Sequence, residues 1–166
     1  MEYKATLDLK SKIITGFCGV LFAGISIYNI KLIDFKSDEL AQPVILLLTT
    51  ILVLSIFIFC YLYRPLKYVV DTNRVIVKRP IKDLIIEFSN IKHAFLPTRE
   101  SMKWTIKTFG NGGLFGYFGS FRNQTYGGMT WYATRTGNYL IIVTKDNNKI
   151  VLTPDDTEMI KEIRTE

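Results

Sequence analysis

The sequence predicts a membrane α-helical hairpin joined to a mainly β domain. Two long uncharged apolar runs lie before residue 64, and most of the charged residues follow it. After residue 65, short β-branched runs alternate with turn residues, which is typical of strands. We therefore divide the chain into an N-terminal tail with two transmembrane helices, residues 1–63, and a cytoplasmic domain, residues 64–166.

The two apolar runs cover residues 13–30 and 44–63. At 1.5 Å per residue, each is long enough to cross a hydrocarbon core of about 30 Å. Buried helices of a soluble protein are the less favoured alternative, because two runs of spanning length follow each other. A cleaved signal peptide is disfavoured for the first run, since no small-residue cleavage site follows it. Lysine and arginine residues flank the outer ends of the hairpin, so we expect a multi-pass protein of the cytoplasmic (inner) membrane with both termini cytoplasmic and residues 31–43 outside.

Small residues recur along one side of the first predicted helix. They are Gly16, Gly19, Ala23 and Ser26. Close backbone approach at small residues is a usual way for helices to associate in lipid. The second helix of the hairpin is one partner for this stripe, and a second copy of the chain in a homo-oligomer is the alternative. Neither run contains a charged residue, which makes an ion path through the two helices improbable.

The elements of the C-terminal part follow from alternation and turn residues. Strands are predicted at residues 67–71, 74–79, 83–88, 91–96, 102–108, 130–136, 139–144 and 149–153. Thr153 is the expected N-cap of a final helix, with Pro154 at its first position. These elements predict a β-barrel or sandwich of about seven strands, capped by a C-terminal helix.

Three segments resemble a bacterial pleckstrin-homology-like (PH-like) domain family. They are the glycine and aromatic run at residues 109–121, Tyr132-Ala133-Thr134, and Thr153-Pro154-Asp155-Asp156. The resemblance covers about residues 65–164 and leaves out the helical hairpin. It implies two near-orthogonal antiparallel sheets closed at one corner by the C-terminal helix. It also implies binding or scaffolding, because this fold has no catalytic set to carry over.

The glycine and aromatic run has two interpretations. It lacks the Gly-Lys-Ser/Thr ending of a phosphate loop. It is either a glycine-rich bend whose aromatic side chains enter the core, or a loop tip that exposes apolar side chains. In the second interpretation, the candidate contacts with the membrane or a protein partner are Leu114, Phe115 and Phe118.

Basic residues near the end of the hairpin are candidate contacts for anionic lipid. They are Arg64, Lys67, Arg74, Lys78 and Arg79. The formal net charge of +6 favours such an attraction near a membrane. The alternative is that these charges protect strand edges in solvent.

The sequence offers no chemistry for catalysis. His93 is the single histidine and has no neighbouring cysteine or aspartate, while Cys18 and Cys60 lie inside the apolar runs. We predict no enzyme activity, no catalytic residues, no metal site, no cofactor, no nucleic-acid partner and no small-molecule substrate. We predict a non-enzymatic, membrane-anchored PH-like module for protein binding or scaffolding at the inner leaflet. The alternative is an oligomeric subunit of a membrane transport or signalling assembly.

Overall fold

The computed structural model describes residues 1–33 and 41–163. Two helices lie near the N-terminus, and they are α1 (Leu9–Leu32) and α2 (Ala41–Tyr63). The strands are β1 (Glu2–Lys4), β2 (Lys67–Val70), β3 (Arg74–Lys78), β4 (Leu84–Glu87), β5 (Ile91–Phe95), β6 (Ile106–Gly113), β7 (Gly116–Asn123), β8 (Gly127–Ala133), β9 (Leu140–Thr144) and β10 (Lys149–Leu152). Short 3-10 helices occur at Phe88–Asn90 and Thr157–Glu162.

Both apolar runs are helices, and each helix extends beyond the predicted run. Asp8 caps α1, because its carboxylate accepts a hydrogen bond from the backbone N–H of Ser11 at 2.8 Å. α2 ends at Tyr63, two residues before Pro65, where proline restricts the helical conformation. The predicted loop at residues 31–43 falls largely outside the described residues.

The strands form two sheets. The first sheet is antiparallel and has the order β1-β2-β3-β4, and the second has the order β5-β9-β10-β8-β7-β6. β8 and β10 are parallel, whereas the other neighbours in the second sheet are antiparallel. The ten described strands exceed the eight ranges predicted and the expected total of about seven, and in the described residues the sheets do not close into a barrel.

The N-terminal segment is a strand, which corrects the prediction of a tail. β1 pairs with β2 in the register Glu2↔Val69, Tyr3↔Tyr68 and Lys4↔Lys67. The helical hairpin is therefore inserted between two adjacent strands of the first sheet. A strand of three residues carries too little alternation to be recognised from the sequence.

Two cores hold the sheets. The first lies between the sheets, and its fully buried members include Tyr68, Val75, Val77, Ile91, Leu140, Ile142, Leu152 and Met159. The second lies on the opposite face of the second sheet, where Met102 from the β5–β6 connection covers Phe121 and Trp131. Because its β5–β9–β10–β8 part is covered on both faces, β9 is buried along its entire length.

The final helix begins later than predicted. Thr153 does not cap it, since the Thr153 hydroxyl accepts a hydrogen bond from the backbone N–H of Thr134 at 2.9 Å. Asp156 caps a 3-10 helix instead, accepting from the backbone N–H of Glu158 at 2.9 Å. Met159 is fully buried and packs this helix against the first core.

The predicted strand at residues 102–108 is wrong in its first half. β6 begins at Ile106, and Trp104 has a positive φ of 56°, which interrupts an extended strand. Met102 is 4% exposed and Trp104 is 87% exposed, so they do not share a buried face. The glycine and aromatic run forms β6 and β7 rather than a single bend in one strand.

Candidate functional site at the junction of the hairpin and the sheets

β6 and β7 depart from regular strand geometry where Gly110 and Gly119 pair. Their φ angles are 107° and 114°. A Cβ atom on Gly119 would lie 2.5 Å from the Phe109 carbonyl oxygen and 2.9 Å from the Gly110 Cα. Only glycine permits this close approach of the two backbones. The departure from regular geometry therefore occurs at paired positions of both strands.

The tip of the β6–β7 hairpin packs against the two helices. Leu114, Phe115 and Phe118 are 8%, 8% and 6% exposed and cluster with Cys60. The Phe115 ring lies 4.9 Å from the Phe57 ring, measured between centroids and edge to face. Of the two interpretations of the glycine and aromatic run, the exposed tip is therefore wrong, because these side chains are buried against the chain's own hairpin.

The polar backbone groups of the tip have partners. The Asn111 amide donates to the carbonyl oxygens of Leu114 at 2.5 Å and Gly116 at 2.7 Å. The Phe115 backbone N–H donates to the Thr15 hydroxyl on α1 at 2.8 Å. Paired backbone groups let a turn lie beside apolar helices without a desolvation cost for unpaired donors and acceptors.

Two arginines stack on aromatic rings at this junction. The Arg64 guanidinium carbon lies 4.3 Å from the centroid of the Tyr61 ring and 5.5 Å from that of Phe115. The Arg79 guanidinium carbon lies 5.6 Å from the Tyr63 centroid and 5.3 Å from the Tyr132 centroid. Arginine over an aromatic face gains cation–π attraction, and the gain is larger where water is excluded.

The other three candidate lipid-contact residues form ion pairs. Their partners are Glu2 for Lys67 at 2.7 Å, Asp71 for Arg74 at 3.2 Å, and Asp83 for Lys78 at 2.6 Å. The Lys78 ammonium lowers the pKa of the Asp83 carboxyl below its ordinary value, mainly through their hydrogen bond. Lys67 and Lys78 are cross-strand neighbours, whereas Arg74 lies at the opposite end of β3. Arg64 and Arg79 therefore contact aromatic rings, whereas the other three cations pair with carboxylates.

The small-residue stripe of α1 is split between two environments. A Cβ atom on Gly19 would lie 3.7 Å from the Phe57 ring, and Ser26 is buried. Gly16 and Ala23 are exposed, and nothing lies within 4 Å of a Cβ atom on Gly16. Only Gly19 and Ser26 thus lie on the side that is turned to α2.

A polar contact between the helices was not predicted. The Asn29 side-chain amide donates to the hydroxyls of Thr49 and Thr50, both at 3.1 Å. Asn29 is 7% exposed. A lone asparagine in an apolar run, with hydroxyl residues in the next run, was the available signal.

Asp8 joins the start of α1 to the segment after β8. Besides capping the helix, its carboxylate accepts from the backbone N–H of Thr136 at 3.1 Å. Burial acts to raise the pKa of Asp8, but the hydrogen bonds from Ser11 and Thr136 outweigh it and hold the pKa below its ordinary value. The first turn of the hairpin is therefore attached to the second sheet.

Three large apolar side chains on β6 or just before it are exposed. They are Trp104, Ile106 and Phe109, which are 87%, 63% and 80% exposed. Alternation in the sequence puts Trp104 and Ile106 on one face with Met102, and the glycine-rich-bend interpretation puts Phe109 in the core. Neither alternation nor composition distinguishes a buried face from an exposed apolar one.

In residues 1–33 and 41–163, no group of three or more His, Cys, Asp or Glu side chains is arranged to hold a metal ion. The two cysteines are free thiols. His93 is exposed and stacks on Phe95, with 5.7 Å between the ring centroids.

Comparison with known proteins finds one match. A family model described as bacterial PH domain matches residues 66–165. No curated protein and no solved structure matches the chain. The mainly β part, with its two sheets and final short helix, is consistent with that family model.

Proposed function

Because the chain belongs to the bacterial PH domain family, we propose that it is a non-enzymatic binding module, anchored in the inner membrane by its helical hairpin. It binds or scaffolds proteins at the cytoplasmic face of the bilayer. The family assignment suggests binding, since this fold generally serves interaction rather than catalysis. Anchoring is supported by the hairpin and its attachment to the sheets.

One observation carries the anchoring proposal: the hairpin is apolar on the outside. α1 has 24 residues and α2 has 23, and both are long and apolar enough to cross a membrane. Only 11% of the most apolar window of each helix is buried. Side chains such as Phe17, Val20 and Leu52 are 60–76% exposed, whereas the core helix of a soluble protein is mostly buried. Lipid is the environment in which such a surface is stable.

The pairing of β1 with β2 supports one side for both ends of the hairpin. β1 precedes α1, β2 follows α2, and they are neighbours in one sheet. Lysine and arginine residues at these ends favour the cytoplasmic side. The sheets therefore lie at the inner leaflet, with the β6–β7 tip against the helices.

Membrane fractionation of cells that express the full chain tests the anchor. We expect the protein in the membrane pellet after extraction with alkaline carbonate, which removes peripheral proteins. Release into the supernatant would overturn the proposal. Labelling of single cysteines introduced at Lys4 and at Lys149 with an impermeant maleimide tests the side: both should be protected in intact cells and react after lysis.

The exposed side chains of Ile106 and Phe109 support protein binding. They lie on one face of β6, because their register partners Arg122 and Ser120 are two residues apart on β7, and apolar side chains exposed together are a usual mark of an interaction site. A photo-crosslinking residue at position 106 in intact cells should yield a defined adduct, and Phe109→Ala should abolish it. Ile85→Ala is the matched control, because Ile85 is 51% exposed on the first sheet. An adduct that persists with Phe109→Ala would remove this face of β6 from the proposal.

The alternative function is an oligomeric subunit of a transport or signalling assembly. The outward position of Gly16 and Ala23 favours it, because small residues on a lipid-facing side permit close helix contact with a second copy. Native mass measurement in detergent distinguishes the alternatives. A monomer that Gly16→Leu leaves unchanged excludes this assembly, and an oligomer that Gly16→Leu dissociates supports it.

A further inference from the structure

Arg64 occupies a boundary position in the fold. It follows Tyr63, the last residue of α2, and its side chain is half-buried. Its guanidinium lies over the ring of Tyr61 on α2 and near the ring of Phe115 on the β6–β7 tip, and these two rings also contact each other edge to face. The helix end and the tip of the β6–β7 hairpin thus both contact this one cation.

The donors of Arg64 have no acceptor in the described residues. A guanidinium carries five N–H donors and cannot accept a hydrogen bond. The Arg64 Nε is buried and has no hydrogen-bond partner, and Arg64 forms no ion pair with a described carboxylate. A half-buried charge whose donors are unpaired is unfavourable unless an acceptor completes it.

Neighbouring cations in the same part of the fold differ from Arg64. Lys67 and Lys78 have carboxylate partners within 2.7 Å. Arg79 also stacks on aromatic rings, but its Nε donates to the Lys82 carbonyl oxygen at 2.7 Å. Among Arg64, Lys67, Lys78 and Arg79, only Arg64 has a side chain without an acceptor in the described residues.

The position of Arg64 identifies the class of acceptor. If α2 crosses the bilayer, its last residue marks the end of the hydrocarbon core, where lipid phosphates lie. The flat guanidinium matches the oxygens of a phosphate through two parallel hydrogen bonds. Contacts with Tyr61 and Phe115 restrict the motion of the guanidinium, which lowers the entropy lost on binding.

We propose that Arg64 binds the phosphate group of a membrane phospholipid at the inner leaflet, in a site framed by Tyr61 and Phe115. The inference rests on the proposed membrane anchoring and adds a ligand to it. The site belongs to the junction between α2 and the second sheet. Through Phe115, the β6–β7 tip forms part of this lipid site.

Native mass spectrometry of the full chain in mild detergent, titrated with phosphatidylglycerol, tests the site. Arg64→Gln should weaken binding of the first lipid about tenfold, which corresponds to about 1.4 kcal/mol. Arg64→Lys should restore binding only in part, because an ammonium lacks the planar fork. The control Arg74→Gln should bind as the wild type does, since Arg74 is exposed and paired with Asp71. Wild-type binding by Arg64→Gln, or equal losses in Arg64→Gln and Arg74→Gln, would overturn the proposal.

A second arm identifies the source of the phosphate. Inorganic phosphate at millimolar concentration replaces the lipid in the same measurement, and we expect no adduct that depends on Arg64. An Arg64-dependent adduct with inorganic phosphate would overturn the lipid assignment. Thermal unfolding of each variant checks folding, and Arg64→Lys provides the comparison if Arg64→Gln is unstable.

Carbonate extraction separates this inference from the anchoring proposal. Wild type and Arg64→Gln should both remain in the membrane pellet. If the wild type is released, the anchoring proposal fails and the lipid site fails with it. If both remain but bind lipid equally, only the site at Arg64 fails.

Discussion

Glu2 and Lys67 form an ion pair, with 2.7 Å between the Oε1 and Nζ atoms, although both long helices separate them in the chain. The pair lies across β1 and β2, the strands that flank the hairpin. The side chains are 63% and 42% exposed, so this pair adds little to the stability of the sheet, although it is consistent with the register of β1 on β2. The ladder of β1 on β2 is the structural basis of the attachment.

A disulfide between residues 4 and 67 tests this ladder. Lys4 and Lys67 are register partners, and partners in an antiparallel pair are about 4.5–5.5 Å apart at Cα. That separation suits a disulfide. We expect Lys4→Cys with Lys67→Cys to form the bond under mild oxidation, as mapped by mass spectrometry of the digested protein. Lys4→Cys with Arg74→Cys should not, and a lack of bonding in the first variant would contradict the inserted hairpin.

Gly119→Ala should destabilise the protein by about 2–3 kcal/mol. The reason is the positive φ at this position together with the approach of the Phe109 carbonyl oxygen and the Gly110 Cα. Chemical unfolding in detergent measures the free-energy difference. Gly128→Ala is the matched control, because no atom lies within 4 Å of its Cβ position, and its change should stay within about 0.5 kcal/mol. Equal effects of the two substitutions would mean that the close approach is absent.

Phe115→Ala should destabilise the protein by about 3 kcal/mol, because its buried ring contacts Phe57 and Tyr61. Phe109→Ala is a matched control on the same β-hairpin. Its ring is 80% exposed, so its loss should change stability by less than about 0.5 kcal/mol. Thermal unfolding compares the two variants, and hydrogen exchange at β6 and β7 should rise only with Phe115→Ala. A larger effect from Phe109 would indicate a different packing of the tip.

Asp8 should make stability depend on pH in the acidic range. Its folded pKa is lowered, so its contribution is present above the ordinary carboxyl pKa of about 3.9 and is lost as the pH falls through the folded pKa. Asp8→Ala should cost about 1 kcal/mol at pH 7 through loss of the helix cap. This difference from wild type should shrink below about pH 4, as followed by melting temperature.

Asp8→Asn separates the cap from the charge. Asparagine keeps an oxygen for the Ser11 N–H and remains neutral at every pH. We expect it to retain part of the stability lost in Asp8→Ala while removing the same acid dependence. If the gap between wild type and Asp8→Asn does not change with pH, the carboxylate of Asp8 does not titrate as inferred.

The elements that the sequence predicted well are those with strong local signals. The two apolar runs are helices, and the strands around the turn at Thr72 and Asn73 form an antiparallel pair. The strands at residues 139–144 and 149–153 agree with β9 and β10 within a residue or two. In each, periodicity and turn chemistry indicate the same structure.

The remaining features depend on contacts between distant residues. β1 is a strand only because β2 lies beside it, and the position of Trp104 depends on a backbone conformation that its composition does not reveal. Arg64 and Lys67 look alike as flanking cations in the sequence. They differ because Lys67 pairs with Glu2, whereas Arg64 contacts Phe115 at the tip of the β6–β7 hairpin.

The insertion of the hairpin between β1 and β2 sets an order of assembly during synthesis. The ribosome makes β1 first, but its partner emerges only after both helices have been made. The first sheet can therefore be completed only after α2 has brought the chain back to the end of the hairpin at which α1 begins. Pairing of β1 with β2 thus requires a correctly formed hairpin. If α2 does not run back along α1, β2 keeps an unpaired edge and Ala5 stays outside the first core.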